Sequence, residues 1–212
     1  RINKSRSESY REEFLKLKAL APYCIAPKPY LFGKEPFPAP FMITELIPGR
    51  PLEKEEVAHN LDAILESLNE LQSIPVAELQ KREGFKTDMS SCNDYAKNLI
   101  KEIRGQLQNY SRRFGESYLS DALSEILDVS ENSLKQNSDF FKNHPLGLIH
   151  GNLGSRSMIL TPEKKIRLVN WEKARISDPA TEISSLADLN GMENDEPSLT
   201  KLEKSYKGLD EH

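Results

Sequence analysis

The sequence is poor in features that mark several large classes of protein. It has only two cysteines, Cys24 and Cys92, which lie far apart and match no metal-ligand spacing. Free thiols in a reducing cytoplasm are therefore expected rather than a disulfide framework. No segment reaches the roughly 18 consecutive apolar residues of a membrane span, and no apolar run follows the first charged residues as in a secretory signal. These absences predict a cytoplasmic protein that does not associate with membranes.

An excess of charge of one sign is also missing. The chain of 212 residues has 29 basic and 33 acidic side chains, for a formal net charge of −4. Because the lysines and arginines are spread along the sequence, no basic patch is available to displace the counterions of a nucleic acid. Hydrophobic residues make up 37% and charged residues 29%, which is typical of a globular protein with a hydrophobic core. The length allows one large domain or two small lobes.

Glycine is scarce in the first quarter of the chain, where Gly33 is the only glycine before Gly49. Residues 7–21 have helical apolar spacing, with Ser7 or Ser9 as the N-cap. Six prolines then exclude helix from 22–40. Two short apolar runs, at 30–32 and 41–45, predict a pair of strands, and Pro48-Gly49-Arg50-Pro51 predicts a connection between lobes.

Three later segments, within 55–73, 95–107 and 119–127, repeat apolar residues at steps of three and four. This is the spacing of one helix face, and we interpret all three stripes as core-facing surfaces. From residue 145 the pattern changes to short β-type runs, which predict a loop followed by a hairpin with its turn at 161–165. The stretch from Asn190 onward is polar and weakly patterned, so we expect it to be loosely structured.

Polar residues lie beside these short strands at three positions. Asn152 and Ser157 belong to the loop before the hairpin, and Asn170 follows the second hairpin strand. The hairpin returns the chain to the end where it began, so the three side chains are expected to converge. Convergent polar groups beside a sheet suit a binding cleft, although spacing alone fits an ordinary hydrogen-bonded loop equally well.

The segments 148–160 and 167–179 resemble the catalytic region of the aminoglycoside phosphotransferase and choline kinase family. There, His-Gly-Asp-Leu leads after four positions to Asn-Ile-Leu, and Ile-Asp-Trp-Glu follows. The gapless match places Asn152 on the catalytic aspartate, Ser157 on the metal-binding asparagine and Asn170 on the metal-binding aspartate. His150 falls on the loop scaffold, and Glu182 falls on a later family carboxylate.

The resemblance extends upstream in the same order. Residues 41–52 are similar to the family's hinge, which implies that the backbone of Glu45, Leu46 and Ile47 meets the adenine. Residues 11–15 resemble the helix whose glutamate pairs with the nucleotide-binding lysine. Glu13 is the preferred match and Glu12 the alternative, while Arg1 stands where the lysine would be.

This resemblance implies an α+β, protein-kinase-like fold. A partial nucleotide-binding lobe would cover 1–47, and a helical lobe with the catalytic-loop-like segment 148–179 would cover 48–212. It also implies ATP and magnesium as cofactors and a small-molecule hydroxyl as acceptor. The family's first strands and phosphate-covering loop would precede Arg1, so we expect either a truncated chain or loss of that region.

The departures from the family pattern all weaken the implied chemistry. An amide at Asn152 has no basic site that could accept the acceptor's proton. Asn170 brings no negative charge to magnesium, and Ser157 is a shorter ligand than asparagine. We therefore expect little or no phosphoryl transfer. The alternatives are a regulatory module that binds a nucleotide or small ligand without catalysis, and a decayed fragment.

Overall fold

A computed structural model describes residues 4–35, 39–87, 89–192 and 194–207, with side chains of the first helix described from Ser9 onward. The helices are α1 (Lys4–Leu20), α2 (Leu61–Gln72), α3 (Val76–Leu79), α4 (Cys92–Phe114), α5 (Tyr118–Gln136), α6 (Ser138–Asn143), α7 (Ala180–Asn190) and α8 (Glu196–Ser205). The strands are β1 (Pro29–Gly33), β2 (Phe41–Thr44), β3 (Arg50–Pro51), β4 (Gly147–Ile149), β5 (Met158–Leu160), β6 (Ile166–Leu168) and β7 (Arg175–Ser177).

The chain divides into two compact units. The first combines Arg1–Thr87 with Gly147–His212, and the second is Asp88–Leu146. Among the described residues, no helix is both long enough and apolar enough to cross a membrane. The combination of helices with short antiparallel strands confirms the α+β prediction.

The first unit contains three small antiparallel sheets, ordered β1-β2, β3-β5-β6 and β4-β7. The sequence predicted β1, β2 and the β5–β6 hairpin. It did not predict β3, which joins the hairpin by pairing Arg50 with Leu160. Nor did it predict the pairing of β4 with β7, which aligns Leu148 with Ile176. These strands have two or three residues, too few to show a periodic pattern.

Helix α2 supplies much of the first unit's core. Its apolar stripe is buried as the spacing predicted, with Ile64 and Leu68 fully enclosed. The predicted start at residue 55 was too early, because two 3₁₀ turns at Lys54–Glu56 and Ala58–Asn60 precede the helix.

The two ends of the first unit differ from expectation. Helix α1 begins at Lys4, so neither Ser7 nor Ser9 occupies its N-cap. The stretch after Asn190 is not loose, because α8 forms behind the N-cap Asp195. Leu202 and Tyr206 are fully buried there. The few apolar residues of this segment are enough to hold α8 in place, because the helix packs against α2.

The second unit is built on the α4–α5 hairpin with α6 beside it. Ser91 and Ser117 cap the two long helices through their side chains. Arg104 joins the helices by ion pairs to Asp128 at 2.9 Å and to Glu131 at 3.1 Å. The prediction that both apolar stripes face a core was wrong for most of their residues, which are exposed: Leu99, Ile103, Leu119, Leu123 and Ile126.

Candidate functional site

The loop that leaves β4 is held by a buried carboxylate from α7. Glu182 is fully enclosed, and it accepts hydrogen bonds from the backbone N–H groups of His150 and Gly151, the second at 3.1 Å. Burial raises the pKa of Glu182 to about 7, although these two hydrogen bonds act in the opposite direction. The carboxylate therefore fixes the path of the loop from inside the fold.

His150 lies under this loop and not on its surface. Its side chain is completely buried, with Nε2 2.9 Å from the carbonyl oxygen of Val169 and the ring packed edge-on against Trp171. Burial lowers the pKa of His150 to about 4, so the ring is neutral near pH 7. This geometry suits a scaffold that ties the loop to the end of β6, because the ring is enclosed and does not reach the solvent.

Ser157 and Asn170 lie together at the open end of the hairpin. The Asn170 side-chain amide donates to the Ser157 hydroxyl at 3.4 Å. Ser157 is buried and Asn170 is exposed, so the pair lines a surface that solvent can reach. Asn170 has a left-handed backbone with φ of 66°, a conformation that asparagine tolerates better than most residues. The left-handed backbone at Asn170, directly after β6, thus sets the direction of its side chain toward Ser157.

Asn152 occupies the same loop in a half-buried position. In the part of the chain that the structure describes, its side chain forms no hydrogen bond with Ser157 or Asn170. The structure therefore brings two of the three predicted side chains into contact, and it places the third on the loop that connects them to β4.

Helix α1 is attached to the residues that follow Asn170. The Glu13 carboxylate accepts from the backbone N–H of Trp171 at 3.0 Å. Lys16 donates to the carbonyl oxygen of Glu172, and Ser9 donates to its carboxylate at 3.3 Å. Burial raises the pKa of Glu13 and lowers the pKa of Lys16. These bonds join the first helix to the loop that carries Asn170.

The residues predicted to meet a nucleotide base lie just after β2. Glu45 exchanges two hydrogen bonds with the backbone of Lys28: its N–H donates at 2.8 Å, and its carboxylate accepts at 3.0 Å. Leu46 is 89% exposed, and Ile47 is half-buried. Arg1, predicted to replace the nucleotide-binding lysine, lies outside the described residues.

The donor set at the hairpin end does not fit magnesium. Magnesium favours charged oxygen ligands, whereas Asn170 and Ser157 offer an amide and a hydroxyl. The nearby carboxylates of Glu13 and Glu182 are both engaged by backbone N–H groups. No step of a reaction is therefore assigned to a metal at this position.

Three features of the site were missed from the sequence. The sequence match assigned Glu182 to a family carboxylate position but gave it no function. Its role in holding the loop was not predicted, and its complete burial is unusual for a glutamate. An acidic residue flanked by Ile183, Leu186 and Ala187 in α7 was the available signal. The attachments through Lys16 and Ser9 left no signal, because they join residues more than 150 positions apart.

Solved structures with a similar fold include small-molecule kinases. An ethanolamine kinase from Plasmodium vivax matches with a TM-score of 0.63 and 23% identity, over 95% of this chain and 58% of its own. The choline kinase LicA from Streptococcus pneumoniae matches with a TM-score of 0.62 and 18% identity, over 93% of this chain and 61% of its own. The ternary complex of streptomycin, ATP and APH(2″)-IIa matches with a TM-score of 0.61 and 14% identity, over 94% and 72%.

These likenesses define the fold as the kinase-like fold of small-molecule phosphotransferases. The model of the phosphotransferase enzyme family APH matches residues 1–212, so the chain belongs to that family. Comparison with curated proteins gave no match. The chain spans about three fifths of the length of the ethanolamine and choline kinases.

Proposed function

We propose that this chain is a phosphotransferase-family domain that has little or no activity in transferring a phosphoryl group from ATP to a small-molecule hydroxyl. The observation that carries the proposal is the contact between Asn170 and Ser157, where an amide and a hydroxyl satisfy each other. A site that holds metal–phosphate charge would need anionic oxygens at this place. The division into a partial nucleotide-binding lobe, 1–47, and a helical lobe, 48–212, belongs to the same proposal.

The weakness of the chemistry follows from the side chains present. An amide at Asn152 can orient a hydroxyl by accepting a hydrogen bond, but it cannot take the proton as the oxygen attacks phosphorus. Loss of a general base typically costs about 10²–10⁴-fold in rate. His150 does not substitute for it, because the ring is buried and its Nε2 faces the Val169 carbonyl.

The nucleotide and the acceptor are proposed by class. Related structures include LicA with AMP and APH(2″)-IIa with streptomycin and ATP, which supports an adenine nucleotide as the bound cofactor. We place the base against the backbone of Glu45, Leu46 and Ile47. The acceptor would be a small hydroxylated molecule, such as an amino alcohol or an aminoglycoside.

A restoration experiment tests this proposal. The triple variant Asn152→Asp, Ser157→Asn and Asn170→Asp returns the base and two metal ligands to the loop and hairpin end. Transfer from radiolabelled ATP to choline, ethanolamine and streptomycin would be measured with magnesium for the wild type and the triple variant. We expect activity at background for the wild type and at least about 100-fold more for the triple variant.

The matched control is the same variant with Asn152→Ala in place of Asn152→Asp. It keeps the restored metal ligands but lacks the base, so it should return close to background. Wild-type turnover well above that of the single variant Asn152→Ala would overturn the proposal.

A second candidate function is nucleotide or ligand binding without transfer. The observation that favours it is the intact support of the loop: Glu182 still holds His150 and Gly151, and Glu13 still holds Trp171. Binding to the folded state alone raises stability by RT ln(1 + [L]/Kd), about 2.7 kcal/mol at one hundred times Kd. Thermal unfolding with ATP, ADP and AMP, with and without magnesium, would show a rise in Tm of several degrees; no rise with any of them would contradict it.

A further inference from the structure

The α4–α5 hairpin presents an apolar face that its own unit leaves uncovered. Of the sixteen large hydrophobic side chains exposed in the described residues, nine lie on these two helices. Such a concentration exceeds the scattered single hydrophobic residues of an ordinary monomer surface. Five of the nine are more than half exposed: Phe114, Tyr118, Leu119, Ile126 and Val129.

The centre of this face is a groove between the two helices. It has a volume of about 370 Å³ and is lined mainly by Ile103, Leu107, Tyr110, Leu119 and Leu123. An open groove with apolar walls is a receptacle for side chains from another surface. Since both walls belong to one hairpin, the groove exists within the second unit by itself.

The exposed residues of α4 have a symmetric spacing. Leu99 and Ile103 are four residues apart, Tyr110 and Phe114 are four residues apart, and seven residues separate the inner pair. The midpoint of both the inner and the outer pair falls between Gln106 and Leu107. Two copies of α4 packed antiparallel about that midpoint would therefore place Leu99 against Phe114 and Ile103 against Tyr110, twice over.

The charges beside the stripe agree with the same arrangement. Glu102 and Arg113 are exposed, and at 100° per residue both lie on the same flank of α4, on either side of the midpoint. An antiparallel second copy would bring Glu102 of each copy near Arg113 of the other, within two residues of exact register. On α5, the residues that line the groove are Leu119, Ser120 and Leu123, and none of them is charged.

We propose that the α4–α5 face is a homodimer interface, in which two copies of this chain pack as an antiparallel four-helix arrangement about a two-fold axis near Gln106 and Leu107. An isologous contact requires one patch to be complementary to itself, which the spacing and the paired charges of α4 provide. The inference is independent of whether the phosphotransferase site is active.

The first test is the mass in solution. Sedimentation equilibrium of the 212-residue chain over a range of micromolar concentrations should show a dimer at twice 24.1 kDa. Phe114→Glu should give a folded monomer, because Phe114 is 67% exposed and its replacement places a charge in the contact. Tyr30→Glu, at a 59% exposed aromatic on β1, is the control and should remain dimeric. A wild-type monomer at every concentration, or a dimer that survives Phe114→Glu, would overturn the proposal.

A charge exchange tests the antiparallel register. Glu102→Arg alone and Arg113→Glu alone each place like charges opposite each other, and each should weaken dimerisation by roughly fivefold to tenfold. The double variant restores opposite charges and should recover most of the wild-type affinity. Circular dichroism of each variant confirms that the helices are intact. Failure of the double variant to recover affinity would exclude this register.

Discussion

Gly49 lies in the segment that connects the β1–β2 pair to β3. Its backbone conformation and its surroundings disfavour any residue other than glycine. Its φ is 137°, and a Cβ atom there would overlap the carbonyl oxygen of Leu160 and approach Ile159 Cγ2 to 2.9 Å. Both the backbone conformation and the neighbouring backbone atom oppose any side chain. We expect Gly49→Ala to lower the free energy of unfolding by about 3 kcal/mol.

The buried Trp171, the single tryptophan, gives a fluorescence signal for urea unfolding of the unit that contains Gly49. Gly154→Ala is the matched control in that unit, because Gly154 has φ of −68° and open space around the added methyl. It should change stability by less than about 0.5 kcal/mol. If both substitutions changed the free energy of unfolding equally, then the Leu160 carbonyl would not restrict the residue at position 49.

The positions of single polar residues were predictable from the sequence where the hairpin geometry brings them together. The hairpin required that Ser157 and Asn170 return to the same end, and they are in contact. The state of His150 was harder to predict, since the sequence does not reveal that Val169 and Trp171 enclose its ring. The roles assigned to Asn152, Ser157, Asn170, Glu45, Leu46 and Ile47 in nucleotide or metal binding remain predictions.

Among the elements, α1 is attached by a hydrogen bond to the residue that follows the Asn170 turn. Glu13 accepts from the Trp171 N–H, whereas Glu12 is exposed on the same helix. We expect Glu13→Ala to cost about 1 kcal/mol of stability and to speed hydrogen exchange of the Trp171 amide by about fivefold, because that N–H loses its acceptor. Glu12→Ala is the adjacent control and should alter neither quantity.

Hydrogen exchange with mass-spectrometric or NMR detection at Trp171 measures the effect directly. If Glu12→Ala, and not Glu13→Ala, exposed this amide, then the alternative register of the helix would be the correct one. The same pair of variants therefore tests which glutamate of α1 faces the site.

The elements show where apolar periodicity is informative and where it is not. In α2 the stripe is buried because the β4 and β6 strands and α8 lie against it. In α4 and α5 an equally regular stripe is exposed. Periodicity identifies the apolar face of a helix, but whether another element covers that face is determined by tertiary contacts, which the spacing does not encode.

For the whole molecule, the buried His150 of the loop after β4 and the buried Glu182 of α7 give the free energy of unfolding opposite dependences on pH. Glu182 titrates near 7 when folded, against an ordinary 4.5, so the folded protein binds a proton between these values that the unfolded chain does not. Its contribution therefore grows as the pH falls. His150 titrates near 4 when folded, against an ordinary 6.5, so its contribution is lost as the pH falls.

The two contributions nearly cancel in the wild type, and single variants separate them. Between pH 7 and pH 5 each is worth about 2 kcal/mol, from the shifts at 1.36 kcal/mol per unit. The wild-type stability minus that of Glu182→Gln should therefore rise by about 2 kcal/mol as the pH falls from 7 to 5. The wild-type stability minus that of His150→Gln should fall by a similar amount.

Urea unfolding at several pH values, followed by circular dichroism and by Trp171 fluorescence, gives both differences. Taking differences removes the titration of every carboxylate that the variants share. Glu163→Gln, in the exposed turn between β5 and β6, is the control for replacing a glutamate by glutamine on the surface. If the Glu182→Gln difference did not change between pH 7 and pH 5, the carboxylate would be ionised in the folded protein at pH 5, and its two backbone hydrogen bonds would outweigh the cost of burial.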